Sequence, residues 1–276
     1  MPILNINSSL FCPNAHFLDS VVNILCNTSG IFDVSAKSLV KDIYDDMRQN
    51  MNNIHHRLIH PLPGSFVQNG INGSLLKHYN NYYAGHDLPV WLNDPTQAKV
   101  KHRLLIVSQD PRRNVDEMNN NKIEEIGIST PFGLHSMEWR SVKSQGLIHW
   151  VVVKLFNESG FGNSLSVYYT DVYKFRGVDD KSKKIKSSLD KKNSQIYYEI
   201  FKKEKDLFDP TIVLLMGDKA EEAYYSVCPR SSKDVKVPHQ APTANGKWKE
   251  YLEEPTSDNK IEYIYNLLLE RLRTKI

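Results

Sequence analysis

Residues Arg103–Asn114 read RLLIVSQDPRRN, and this stretch decides the fold. Its first half holds an unbroken apolar run, Leu104–Val107. Branched aliphatic residues without alternation suit a strand covered on both faces, the habit of parallel sheets. Its second half, Ser108–Gln109–Asp110–Pro111, stops the strand, because proline has no N–H for a ladder and stiffens the turn. The stretch therefore carries a carboxylate, Asp110, to the carboxyl tip of a buried strand. An aspartate before proline is on general grounds a turn residue. The neighbouring elements decide whether it is more.

Downstream, strands and helices take turns. SVKSQGLIHWVVVKLFNE (141–158) contains a helix, LSVYYTDV (165–172) reads as a strand, and SQIYYEIFKKEKDLF (194–208) as a helix. TIVLLMG (211–217) is a continuous apolar strand that runs into a helix, DKAEEAYYSV (218–227), and DVKVPH (234–239) is a short strand. A last helix carries Ile261, Ile264, Tyr265, Leu268 and Leu272 at helical spacing. This alternation predicts an α/β fold, a three-layer α/β/α arrangement on a central four-stranded, mostly parallel sheet. The reading is of one domain over 1–276. Residues 101–276 form its core and residues 1–100 a helical N-terminal elaboration, with helices in HFLDSVVNIL (16–25) and SAKSLVKDIYDDMRQNM (35–51). Residues from about 61 to 97 read as irregular and rich in turns.

With 276 residues, 40% hydrophobic and 24% charged, the chain can bury a sizeable core and has ordinary globular composition. No apolar run nears the ~18 residues of a membrane span. The start, MPILNINSSLFCPNAHF, lacks the pattern of a secretory leader, so a cytoplasmic location is expected. Cys12, Cys26 and Cys228 are too few and scattered for a disulfide framework or a metal set and read as small buried hydrophobes. His56 and His60 in IHHRLIH stand at the i,i+4 spacing of a helix-borne metal site, but no Glu lies between them and no third ligand is near. They read as structural or surface histidines. A net charge of +3 neither demands nor excludes nucleic acid. The run KSKKIKSSLDKK (181–192) is on its own a solvated loop, with phosphate contact as the sharper alternative.

In parallel sheets the functional crevice lies beyond the carboxyl ends of the strands. Three of the four loops there bring a chemically useful group to one rim: Asp110, Asp171 and His239. Singly, each has a bland reading, and Asp218 after LLMG is most simply a helix-start acid favoured by the dipole. Together they point to a site.

At these positions the chain resembles the uracil-DNA glycosylase superfamily. SQDPRRN is similar to its Gly-Gln-Asp-Pro-Tyr-His motif, and VPHQAPTAN (237–245) to its His-Pro-Ser-Pro motif. YYTDVYKFR (168–176) resembles a Thr-Asn-x-x-Lys-x-Arg strand end, STPFGLHS (129–136) the segment that stacks on a flipped base, and IVLLMGDKA (212–220) the central strand-to-helix element. The match runs over roughly 103–276 in the family's order. It implies a hydrolase acting in base excision repair on DNA, single- or double-stranded, as a monomer, with no membrane and no cofactor, since the cysteines of the iron–sulfur branches are absent.

The resemblance also implies roles. Asp110 would stabilise the oxocarbenium-like sugar and orient water, and His239 would donate to the departing base. Phe132 would stack on the extruded base, with Gln109, Pro111 and Asp171 completing its pocket. Arg112, Arg113, Pro242, Thr243 and Asn245 would bind the DNA. Three residues depart from the pattern. Asp171 stands where an asparagine amide reads uracil, Arg112 where a tyrosine excludes the thymine methyl, and Thr243–Ala244 where a leucine wedge holds the base step open. For Asp171 three readings stand open: a pocket for another base such as cytosine, whose amino group suits a carboxylate; a protonated carboxyl; or a register one residue away. The alternative function is a glycosylase-fold protein with altered catalysis, serving as a DNA- or protein-binding module.

Overall fold

A computed structural model describes residues 11–12, 14–27, 30–50, 59–61, 83–108, 125–128, 142–144, 146–177, 191–240 and 244–274. Residues 103–108 lie in β4 (His102–Ser108), whose Leu104–Val107 are all buried. Its neighbours are β6 (Leu165–Asp171), β8 (Ile212–Met216) and β9 (Asp234–Val237). β6 pairs parallel with one side of β4 and β8 with the other, and β9 continues parallel beyond β8. A fifth strand, β3 (Val90–Leu92), closes the β6 edge in antiparallel register. The fold is mixed α/β, and among the described residues this central sheet has the order β3–β6–β4–β8–β9, five strands where the sequence predicts four.

The helices follow from the connections. α3 (Leu147–Glu158) joins β4 to β6, and α4 (Lys191–Phe208) joins β6 back across β4 to β8. These two crossovers run in opposite directions along the sheet, so right-handedness sends α3 and α4 to opposite faces. α5 (Asp218–Tyr225) shares the α4 face, where Phe201 and Tyr224 meet edge to face at 5.9 Å. After the short α6 (Asn245–Trp248), α7 (Ser257–Arg273) returns to pack on α3. Its buried side is the predicted stripe of Ile261, Ile264, Tyr265, Leu268 and Leu272.

The N-terminal region is built into this core. α1 (Ala15–Leu25) packs on α4 and on α2 (Lys37–Asn50). Trp91 of β3 is wholly buried; it stacks on Tyr168 of β6 at 6.1 Å and meets Phe17 of α1 edge-on at 5.1 Å and Tyr44 of α2 at 5.4 Å. Aromatic contacts of this kind add to the stabilisation from burial alone. Asn14 caps α1 by accepting from the His16 N–H at 2.9 Å, and its amide donates to Asp94 at 3.0 Å in the turn after β3.

One reading of this region needs correction. The segment read as irregular supplies β3 and also β2 (Tyr83–Leu88), which belongs to a second sheet of order β1–β5–β2–β7 with β1 (Ile59–Pro61), β5 (Glu125–Ile128) and β7 (Phe175–Gly177). Strands of three to six residues broken by Pro89 are too short to show a period, and tertiary pairing decides them. Pro89 lies where the chain passes from one sheet to the other, and its carbonyl accepts from the Tyr44 hydroxyl at 2.8 Å. His60 lies in strand β1, so the helical spacing from His56 does not apply; His56 itself lies outside the described residues. Among the described residues no cluster of His, Cys, Asp and Glu could hold a metal ion, and no helix is long and apolar enough to cross a membrane.

Candidate functional site

The order β6–β4–β8 means that the chain leaves β4 in one direction and later passes it in the other. Such a reversal opens a crevice at the carboxyl ends of the strands, because the loops on its two sides diverge. The carboxyl end of β4 is Ser108, paired in register with Asp171 at the end of β6. The Val172 N–H donates to the Ser108 carbonyl at 3.1 Å and closes the pair. Asp110 follows Ser108 by two residues in sequence. Gln109, Asp110, Pro111, Arg112, Arg113, Phe132, Pro242 and Thr243 lie outside the described residues, as does most of the basic run, 181–190.

Asp171 is only 2% exposed. Beside it stand a hydroxyl, a phenol and a second carboxylate that the sequence did not single out. Tyr169 shares its face of β6, two residues before it, and its phenol hydrogen-bonds Ser108. Burial first, and then the Asp171 carboxylate, push that phenol well above its ordinary range; the Ser108 bond opposes them, and the charge of Asp87 adds to the rise. Asp87, in β2, is wholly buried, and its N–H donates to the Lys174 carbonyl at 2.9 Å. The only trace of this in sequence is a His-Asp pair just before Leu88–Pro89, inside a segment without periodicity.

His239 arrives from the opposite side of the crevice. Gly217, which ends β8, has φ +89°, and a methyl group built there would stand 3.1 Å from the His239 Cβ and 3.4 Å from its N. Glycine is needed here twice, for the left-handed backbone and for the close approach. The Gly217 N–H donates to the Val237 carbonyl at 2.8 Å, and the buried Trp248 donates its indole N–H to the His239 carbonyl at 3.0 Å. The histidine's main chain is thus held from β8 and from α6.

Asn245, at the start of α6, points its Oδ1 at α7, where it accepts from Lys260 Nζ at 2.6 Å. Its carbonyl end fastens α6 to the body of the protein. Asp218, in the first turn of α5, receives Lys236 of β9 at 3.0 Å and Lys247 of α6. The dipole reading of Asp218 therefore gains two surface cations, each a modest contribution in water.

The rim thus brings together Asp171 with Ser108 from one side and His239 from the other, with Asp87 and Tyr169 behind the first. A carboxylate of low exposure and an imidazole carried on one edge of a parallel sheet are groups that can hold a polar, planar ligand and stabilise charge that develops on it. Comparison with protein-family models finds none that matches the chain, and comparison with curated proteins finds no match either.

Proposed function

We propose that this rim hydrolyses the N-glycosidic bond of a base flipped out of DNA, with uracil or a related deaminated or pyrimidine base as the substrate. The observation that carries the reading is the register Ser108↔Asp171 at the switch point, with His239 backed against Gly217 across it. Motif residues that are far apart in sequence thereby converge on one edge of a parallel sheet. In this reaction the bond from C1′ to the base nitrogen breaks and its electron pair leaves with the base. A water oxygen bonds to C1′, and its proton is released. The Asp110 carboxylate offsets the positive charge on the sugar, and His239 donates to the oxygen that takes up negative charge. Asp171 reads the base edge, Phe132 supplies the stacking face, and Arg112, Arg113, Pro242, Thr243 and Asn245 line the approach of DNA.

Labelled single- and double-stranded oligonucleotides carrying uracil, hypoxanthine, a thymine mismatch or plain cytosine test this directly. After incubation and alkali, strand breaks at one of these bases are expected. Asp110→Asn and His239→Ala should each lower the rate by about 100-fold or more, as loss of a transition-state stabiliser does. A second reading, a binding module on the same scaffold, is favoured by the carboxylate at 171 in place of a base-reading amide. Salt-sensitive DNA binding without abasic product on any base would select it. Absence of DNA binding would reject both.

A further inference from the structure

Behind Asp171 lies an ion pair sealed from water. The side chains of Lys174 and Glu204 are both 0% exposed, with Nζ and Oε2 2.8 Å apart. Lys174 sits in the turn between β6 and β7, and Glu204 in α4. An ammonium has three protons to place, and here each has an acceptor: Glu204 Oε2, the Thr170 hydroxyl, and the main-chain carbonyl of Asp171 at 3.0 Å. The Thr170 hydroxyl donates in turn to Glu204 Oε2 at 3.2 Å. The carbonyl of Lys174 accepts from the Asp87 N–H at 2.9 Å.

Stability alone does not account for this arrangement. Desolvating two charges offsets most of their attraction, so apolar residues of the same volume would hold α4 to β6 about as well. What they could not do is grip a main-chain carbonyl. Lys174 grips the one belonging to Asp171, and its own carbonyl is the anchor for Asp87. One residue therefore fixes the backbone of both buried carboxylates of the rim without being part of the rim surface.

We propose that Lys174, held by Glu204, is a positioning residue that sets the aim of Asp171 and so the choice of base. The inference rests on the reading of Asp171 as the group that reads the base. The pair acts through the end of β6, not by contact with the ligand. Its loss leaves a folded protein with a loosened 170–174 turn and blurred selectivity.

The test uses the full chain with K174M/E204L, which replaces the pair by apolar side chains of similar size, and T170V, which removes one acceptor and keeps the pair. Amide hydrogen exchange over residues 168–176 is measured without ligand, alongside base release from the oligonucleotide panel. Expected is exchange at least 10-fold faster in the double variant and a smaller rise in T170V. The rate ratio between the preferred base and the next best should fall by at least 10-fold in the double variant, and by less in T170V. Should the double variant fail to fold, T170V alone decides on the same two measurements. Unchanged exchange overturns the clamp, whatever the activity. Faster exchange with an unchanged ratio makes the pair merely structural and overturns the inference. A wild-type chain that releases no base overturns the glycosylase reading and with it the claim on base choice, while a loosened turn in the double variant would still uphold the clamp on Asp171.

Discussion

At the scale of single residues, Gly217 is where backbone and site chemistry meet. Its φ of +89° disfavours most side chains, and a methyl there would crowd the His239 Cβ at 3.1 Å. Gly217→Ala is expected to cost about 1–3 kcal/mol, read as a lower urea midpoint at unchanged slope. If the proposed glycosylase reading holds, it should also slow base release, because the methyl crowds His239. The strand-end positions of Asp171 and His239 were legible in the sequence, since Asp171 ends the run LSVYYTD and His239 follows DVKV and a proline. Asp87, Tyr169 and Ser108 were not. A serine or tyrosine in a strand has no distinguishing spacing, and Asp87 becomes meaningful only when β2 pairs with β7 and its N–H meets the Lys174 carbonyl in the turn after β6.

Elements were read best where they were long. The helices α4 and α7 and the strands β4, β6 and β8 lie where period and apolar runs put them, because each buries one stripe or two full faces. β2 and β3 escaped notice because three to six residues with a proline between them carry no period, and their pairing partners are far away in the chain. Local chemistry still marks some boundaries. Thr256 caps α7 by accepting from the Asn259 N–H at 3.2 Å. Thr256→Ala is expected to lower stability by about 1 kcal/mol without altering base release, checked by urea denaturation and the oligonucleotide assay together. The cap lies on α7, the helix whose Lys260 holds Asn245, so a change in rate would mean that α7 transmits its end geometry to α6.

On the scale of the whole molecule, the three cysteines report how cooperatively the N-terminal region and the sheet are joined. All three are buried, two in the N-terminal region and one after α5. Burial pushes the thiols of Cys12 and Cys26 up to about 12 from the ordinary 9.0, and raises Cys228 as well. The native chain is therefore expected to resist a thiol reagent at pH 8 and to expose all three thiols in one transition as urea is added. Successive exposure, with Cys12 and Cys26 before Cys228, would show two separable units. The sign of the pH effect follows from the same shifts. An unfolded chain loses these protons near the ordinary thiol value while the folded chain keeps them. Their contribution to stability is thus intact below about pH 9 and is lost as pH rises toward about 12.

The antiparallel edge strand β3 has a consequence for how this chain comes into being. Leu92 meets Ser166 across a separation of 74 residues, so the edge strand leaves the ribosome long before the strand it must pair with. Until residue 171 has emerged, Trp91 has no Tyr168 to stack on, and the ladder edge of β3 is unmatched. Long-range pairing of this kind slows folding and lengthens the time for which sticky surface is exposed. The N-terminal third of the chain is therefore synthesised first and finished late, and its native packing waits on β6, the strand that carries the candidate site.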